Sequence, residues 1–206
     1  MTKTTRISIE QLRPLQATVG MLEVEAKRKH LLSLEAKALK QFLKTAPIPT
    51  VLGKDGRHYV IDHHHLARAL WDGAMTEAFA EIVEDFSRLP ELQFWDAVIE
   101  RRWVHPYDER GILRALSVIP EEVSGLTDDP YRSLAAFVRD AGGYVKTPEP
   151  FAEFQWAAFY RTRIPMWTNP LQFKAAVEQG VHLAHSPDAR TLPGFKPLGR
   201  ESRKGA

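Results

Sequence analysis

Hydrophobic positions change their spacing several times along the chain, and each change predicts a different element. Ile7 to Leu15 holds a short apolar stretch ending at Pro14, which predicts a strand or extended arm. Leu31, Leu34, Leu39, Phe42 and Leu43 follow helical spacing, with Ser33 as a cap inside or before that helix. The runs Ile48 to Leu52 and His58 to Ile61 are β-prone and flank Gly53-Lys54-Asp55-Gly56. Asp-Gly between two such runs predicts a hairpin. Leu66 to Trp71 then predicts a short helix stopped by Gly73, and Ala80 to Asp85 a further strand. Helix, hairpin, short helix and strand in this order make an α+β unit.

Beyond Pro90 the spacing becomes mainly helical, over Glu91 to Arg102, Pro130 to Ala141, Phe151 to Thr162 and Leu171 to Ala184. Pro148, Pro150, Pro165 and Pro170 separate several of these segments. Trp95, Trp103, Phe137, Phe154, Trp156, Phe159 and Trp167 need a packed environment, so this half is read as a helical layer on the α+β unit. The expected organisation is residues 1–90 as that unit, 91–195 as a helical extension, and 196–206 as a basic tail. The tail carries Lys196, Arg200, Arg203 and Lys204 and reads as a solvated, poorly ordered end.

Composition narrows the classes. The chain has 206 residues, 44% hydrophobic and 26% charged, enough for a packed core without staples. Cysteine is absent, which excludes disulfides and thiolate metal sites. No apolar run reaches the roughly 20 residues a membrane helix needs, and Met1 to Glu10 is too polar for a secretory signal. A cytoplasmic location is therefore expected. A net charge of +2 gives no general attraction to nucleic acid, which is not a favoured partner.

The candidate chemistry sits where the hairpin meets the short helix, at Asp62-His63-His64-His65. Unpaired backbone N–H groups at a helix start favour anions. Histidines there can donate to phosphate oxygens and exchange protons near neutral pH, and an adjacent aspartate can orient an imidazole, accept a proton or help hold Mg²⁺. A three-histidine zinc site is disfavoured, because consecutive side chains diverge; Asp62 and His64 are the pair to consider if any metal binds. His182 and His185 lie three apart and read as an exposed pair on one helix face. A second cluster, Glu23, Glu25, Lys27, Arg28 and Lys29, follows Thr18-Val19-Gly20. It reads either as a charged helix surface or as the source of a carboxylate and a lysine for the phosphate site. There a carboxylate activates a hydroxyl and a lysine stabilises a transferring phosphoryl group.

The stretch from Pro47 to Asp85 resembles the ParB/sulfiredoxin superfamily, in which a hairpin leads to a phosphate-binding motif at a helix start. Over roughly residues 15 to 195 the chain is similar to the ParB-like nuclease family. The matching pieces are Thr18-Val19-Gly20-Met21 with Glu23 to Lys27, Tyr59 to Ala67, Phe94-Trp95, Asp128 to Ala135, Phe151 to Ala157 and Leu192-Pro193-Gly194. The resemblance implies a small mixed sheet with helices followed by a mainly helical C-terminal extension. It also implies a nucleotide pocket with His63, His64, His65 and Arg68 at the phosphates. By likeness to the superfamily's free-serine kinases, Glu23 or Glu25 is the catalytic base. The motif departs from the superfamily's Gly-x-His-Arg type by lacking the glycine and the terminal arginine, and lack of cysteine excludes the sulfiredoxin reaction.

The function these readings favour is an ATP- and Mg²⁺-dependent phosphotransferase acting on a small hydroxyl-bearing molecule. Glu23, Glu25, Lys27 and Asp62 are its candidate catalytic residues. A metal-dependent nuclease or phosphodiesterase, and a non-catalytic nucleotide-binding or DNA-associated adaptor, are the alternatives.

Overall fold

The computed structural model describes residues 3–197, so Arg200, Arg203 and Lys204 of the basic tail lie outside the described residues. The chain divides into two compact units, Met1–Pro130 and Tyr131–Ala206.

The first unit is built on a mixed five-stranded sheet of order β1-β6-β4-β5-β2. Its strands are β1 (Lys3–Ser8), β2 (Leu12–Pro14), β4 (Ile48–Leu52), β5 (His58–Val60) and β6 (Glu77–Asp85). The expected hairpin is present: β4 and β5 run antiparallel, pairing Thr50 with Val60 and Leu52 with His58. Gly53 N–H bonds the Arg57 carbonyl to close the turn, and Gly56 takes the positive φ of 75° that the turn requires. β4 runs parallel to β6, and β2 parallel to β5.

Both sheet faces are covered, which strand alternation makes possible. Ile48 and Val60 point into one cluster with Ile7, Leu12, Val24, Leu31 and Leu70; Val51 and Tyr59 point into another with Leu15, Phe86, Phe94 and Val98. Helix α3 (His64–Asp72) supplies Leu66, Ala67, Ala69 and Leu70 to the first cluster and packs against α1 (Met21–Ser33).

The single helix expected around Leu31 to Leu43 is in fact two, α1 and α2 (Ala36–Thr45), separated by Leu34 in an extended conformation. Ser33 does not open the second helix. It is the last residue of α1, and its hydroxyl donates to the His30 carbonyl. Residues 91–129 lie within the first unit. Phe94 and Val98 of α4 (Glu91–Glu100) pack on Leu15, Val51 and Phe86, while Val123 and Leu126 join the cluster under α3. The segment ends in β7 (Thr127–Asp128), which forms a two-residue parallel ladder with β3 (Thr18–Val19).

The second unit is helical, with α5 (Pro130–Asp140), α6 (Ala152–Arg161) and α7 (Pro170–Ala184), each starting within a residue of its expected position. Asn169 caps α7 by accepting from Gln172 N–H, with Pro170 in the first turn where its missing N–H costs nothing. The core is aromatic: Tyr144 and Trp156 stack at 4.2 Å, and Trp156 Nε1–H donates to the Pro193 carbonyl at 2.8 Å. The fold is α+β. Among the described residues, no helix is long and apolar enough to cross a membrane.

Candidate functional site

The three histidines are adjacent in sequence but serve different neighbours. The chain leaves β5 at Val60 and enters α3 through His63, whose φ of 65° and ψ of 25° place it in the left-handed region. That conformation is uncommon for a side-chain-bearing residue, though histidine tolerates it better than most. Asp62 Oδ1 accepts the His63 N–H at 2.6 Å, and His63 Nδ1 lies 3.1 Å from the Pro47 carbonyl; both residues are exposed.

His64 points inward and is 3% exposed. Its Nε2 accepts the Leu15 N–H at 3.2 Å, and the ring also bonds the Val60 backbone. Burial, reinforced by the nearby His65, His105 and His63 rings, pushes its pKa well below the usual imidazole value. With Nε2 receiving a proton donor, the ring is neutral. His64 therefore has no nitrogen left for a metal or a phosphate, and works as a pin between α3 and the strand before it.

His65 faces α1. Its Nε2 accepts the Gly20 N–H at 2.9 Å and lies 3.5 Å from Glu23 Oε2. Gly20 caps α1 but has no side chain to satisfy the first free N–H groups of the helix. Side chains distant in sequence do so instead: His65 takes Gly20 N–H, and Asp128 Oδ1 takes Met21 N–H at 2.8 Å. Partial burial raises the Asp128 carboxyl above its ordinary range, and the charge of Asp129 adds to the rise.

In the first turn of α1, Glu23 lies between Lys27 and His65, with Oε1 3.4 Å from Lys27 Nζ and Oε2 3.5 Å from His65 Nε2. Glu25 is roughly 200° further round the helix. It pairs with Arg28 at 2.7 Å and with Lys29 at 3.5 Å, and the Arg28 hydrogen bond holds its carboxyl below the usual range. The structure thus brings together Glu23, Lys27 and His65, and leaves Glu25 on a separate charged face.

Arg68 has a bracing position rather than an open one. Its guanidinium bonds the Asp72 carboxylate at 2.8 Å and the carbonyls of Ser124 and Leu126 at 2.9 and 2.5 Å. His185 does not join His182 in a pair; its Nδ1 lies 2.6 Å from the Lys196 carbonyl.

The profile of the family described as "Putative ParB-like nuclease" matches residues 5–162. The chain belongs to this ParB-like family. It is similar to the crystal structure of protein Atu1540 from Agrobacterium tumefaciens, with 38% identity over 96% of this chain and 98% of that one, at a TM-score of 0.86. No curated protein matches the chain.

In this ParB-like chain the metal question turns on donor geometry. Among the described residues, no three His, Asp or Glu side chains are grouped to hold an ion. An all-protein zinc cage does not fit, since zinc needs three or four converging ligands. Magnesium makes smaller demands, because it keeps waters and substrate phosphates and takes one or two carboxylates. The exposed carboxylate of Asp62 at the mouth of α3 fits that lesser role. Asp128 was visible in the sequence only within the stretch Asp128 to Ala135, with nothing to tie it to Met21. An acid directly before Asp129-Pro130 at a helix start was the available signal.

Proposed function

We propose that this ParB-like protein binds ATP or a related nucleotide with Mg²⁺ where β5 runs into α3, and transfers a phosphoryl group to a small hydroxyl-bearing molecule. The observation that carries the reading is the Glu23 carboxylate held between Lys27 Nζ and His65 across α1 and α3. A carboxylate beside a lysine can take the proton of an acceptor hydroxyl as its oxygen forms the new O–P bond. The P–O bond to the departing nucleoside diphosphate breaks in the same transfer. Lys27, 42% exposed at its side chain, can turn from Glu23 to the charge on the moving phosphoryl group. Asp62 would hold Mg²⁺, which neutralises phosphate charge when bound, and the exposed His63 ring is available to the phosphates. His64 and Arg68 support this site without touching the ligand.

The proton on Glu23 has a second carrier nearby. A proton arriving at His65 Nε2 breaks its bond with Gly20 N–H and creates an ion pair with Glu23. The family description favours one other reading, hydrolysis of a phosphodiester, in which Glu23 activates water rather than an acceptor hydroxyl.

The test is incubation with ATP, Mg²⁺ and a pool of small metabolites, followed by mass spectrometry. ADP and a phosphorylated product, lost in Glu23→Gln and kept in Glu25→Gln, are the expected result. Nucleic-acid cleavage that dies in EDTA and in Glu23→Gln, without ADP, would replace this reading with the nuclease.

A further inference from the structure

Helix α1 is only narrowly seated by its apolar residues. Val24 and Leu31 are its only buried side chains, and at seven residues apart they stand nearly in line along the helix. With the half-buried Met21 the seam is about 80° wide, less than the ~100° of an ordinary core-facing helix. So narrow a seam leaves the roll of the helix about its own axis to other contacts. Glu23 is about 100° round from Val24, and the roll therefore decides where its carboxylate points. At about 5.5 Å from the axis, a roll of about 5° carries a carboxylate oxygen ~0.5 Å. That displacement takes Glu23 Oε2 from 3.5 Å to the ~4 Å at which an ion pair with His65 ends.

Two consecutive amides at the start of the helix are gripped from two directions. Gly20 N–H donates to His65 Nε2 at 2.9 Å, and Met21 N–H donates to Asp128 Oδ1 at 2.8 Å. These grips lead back to α3 by different routes. His65 is itself an α3 residue. Asp128 belongs to β7, and the segment before it is tied to α3 by Arg68, whose guanidinium donates to the Ser124 and Leu126 carbonyls. Asp129 N–H, donating to the Val19 carbonyl at 2.8 Å, keeps that strand beside β3. We propose that Asp128 is a positioning residue, which sets the roll of α1 and so holds the Glu23 carboxylate against His65. His65 cannot do this unaided, because a single hydrogen bond at Gly20 leaves the helix free to pivot around it. Lys27 cannot either, since it lies on α1 and turns with Glu23. The consequence for catalysis rests on the phosphoryl-transfer reading, whereas the placement of Glu23 does not.

The test compares Asp128→Ala with Asp128→Asn, which keeps an acceptor for Met21 N–H, and with Asn169→Ala, which removes the cap of α7. NMR on the full chain reads the placement directly. Its signals are the coupling across the Gly20 N–H···Nε2 hydrogen bond and the nuclear Overhauser contact between the Glu23 side chain and the His65 ring. Both should be lost or strongly weakened in Asp128→Ala and persist in the other two variants. The kinetics of ADP formation with ATP, Mg²⁺ and a fixed metabolite pool read the consequence. In Asp128→Ala kcat should fall about 10- to 100-fold with the apparent KM for ATP within about twofold, and in Asp128→Asn it should recover to within about threefold. Asn169→Ala should leave kcat within about twofold. A cap that mattered only for stability would lower the melting temperature in both alanine variants and move neither NMR signal. The proposal is overturned if Asp128→Ala keeps both signals, if Asp128→Asn loses them as fully, or if the loss falls on KM with kcat intact. If the wild-type protein forms no ADP, the phosphoryl-transfer reading fails and the NMR comparison alone decides the role of Asp128.

Discussion

His64 gives the clearest prediction, because its two ring contacts fix its protonation state. Nε2 accepts the Leu15 N–H, and the ring bonds the Val60 backbone. A proton on Nε2 would break the first bond, leave a buried N–H without a partner, and place a charge beside His65, His105 and His63. The folded-state pKa is therefore depressed, while the unfolded chain titrates near ~6.5. Stability from this group is complete above the unfolded value and falls as pH drops through it, because only the unfolded chain takes up the proton. Integrated for one proton from about pH 7.5 to about pH 5, the loss is about 2 kcal/mol. Replacement by Gln keeps an acceptor near Leu15 and removes the titration, at a cost near neutrality of about 1–3 kcal/mol for imperfect pairing. His58 is also depressed by burial and contributes its own pH slope, so the comparison is between proteins. Urea unfolding followed by NMR on the β4 and β5 amides, at several pH values, reads the first unit directly. The variant should approach and then match wild-type stability as pH falls. Parallel loss in the two proteins would show that His64 titrates normally and would refute the buried-pin argument.

Two further outcomes follow from the same unit. Arg68→Met should destabilise it by about 1–3 kcal/mol, since the carbonyls of Ser124 and Leu126 lose their donor, while nucleotide affinity measured by calorimetry stays within about twofold. A large loss of affinity at unchanged stability would return Arg68 to the phosphates. Asp128→Ala should cost about 1 kcal/mol and speed hydrogen exchange at Met21, whereas Asp128→Asn, which still offers an acceptor, should restore most of both. Equal loss in the two variants would mean that charge, not capping, is what Asp128 provides.

Much of the fold was legible because local chemistry specifies it. Asp55-Gly56 between two β-prone runs defines the hairpin, and Asn169-Pro170 announces α7. α1 was harder to see: Val24 and Leu31 are its only buried side chains, while Leu22 and Leu32 are exposed among charged residues. Its apolar residues are therefore spread around the helix rather than gathered on one face, and its last residues merged with those of α2. The site was partly legible. Glu23 and Lys27 were candidates from the charged cluster, but whether Glu23 or Glu25 faces inward depends on how α1 sits against α3. The roles of His64 and His65 were invisible for a different reason. Their partners, the N–H groups of Leu15 and Gly20, are 49 and 45 residues away and have no side-chain signature. The same is true of Arg68, whose acceptors are backbone carbonyls of an irregular segment.

The two outer strands of the sheet, β1 and β2, are consecutive in the chain, joined by the short turn Ile9–Gln11. Residues 3–14 therefore guard both margins of the sheet, one strand against β6 and one against β5. During synthesis these residues leave the ribosome well before their pairing partners, which emerge roughly fifty to eighty residues later, a delay of several seconds at ~5–20 residues per second. Until then the nascent chain carries an unsatisfied strand pair, and the hairpin and β6 carry two bare margins open to neighbouring chains. Loss of residues 3–14 would make that transient vulnerability permanent at both margins of the sheet.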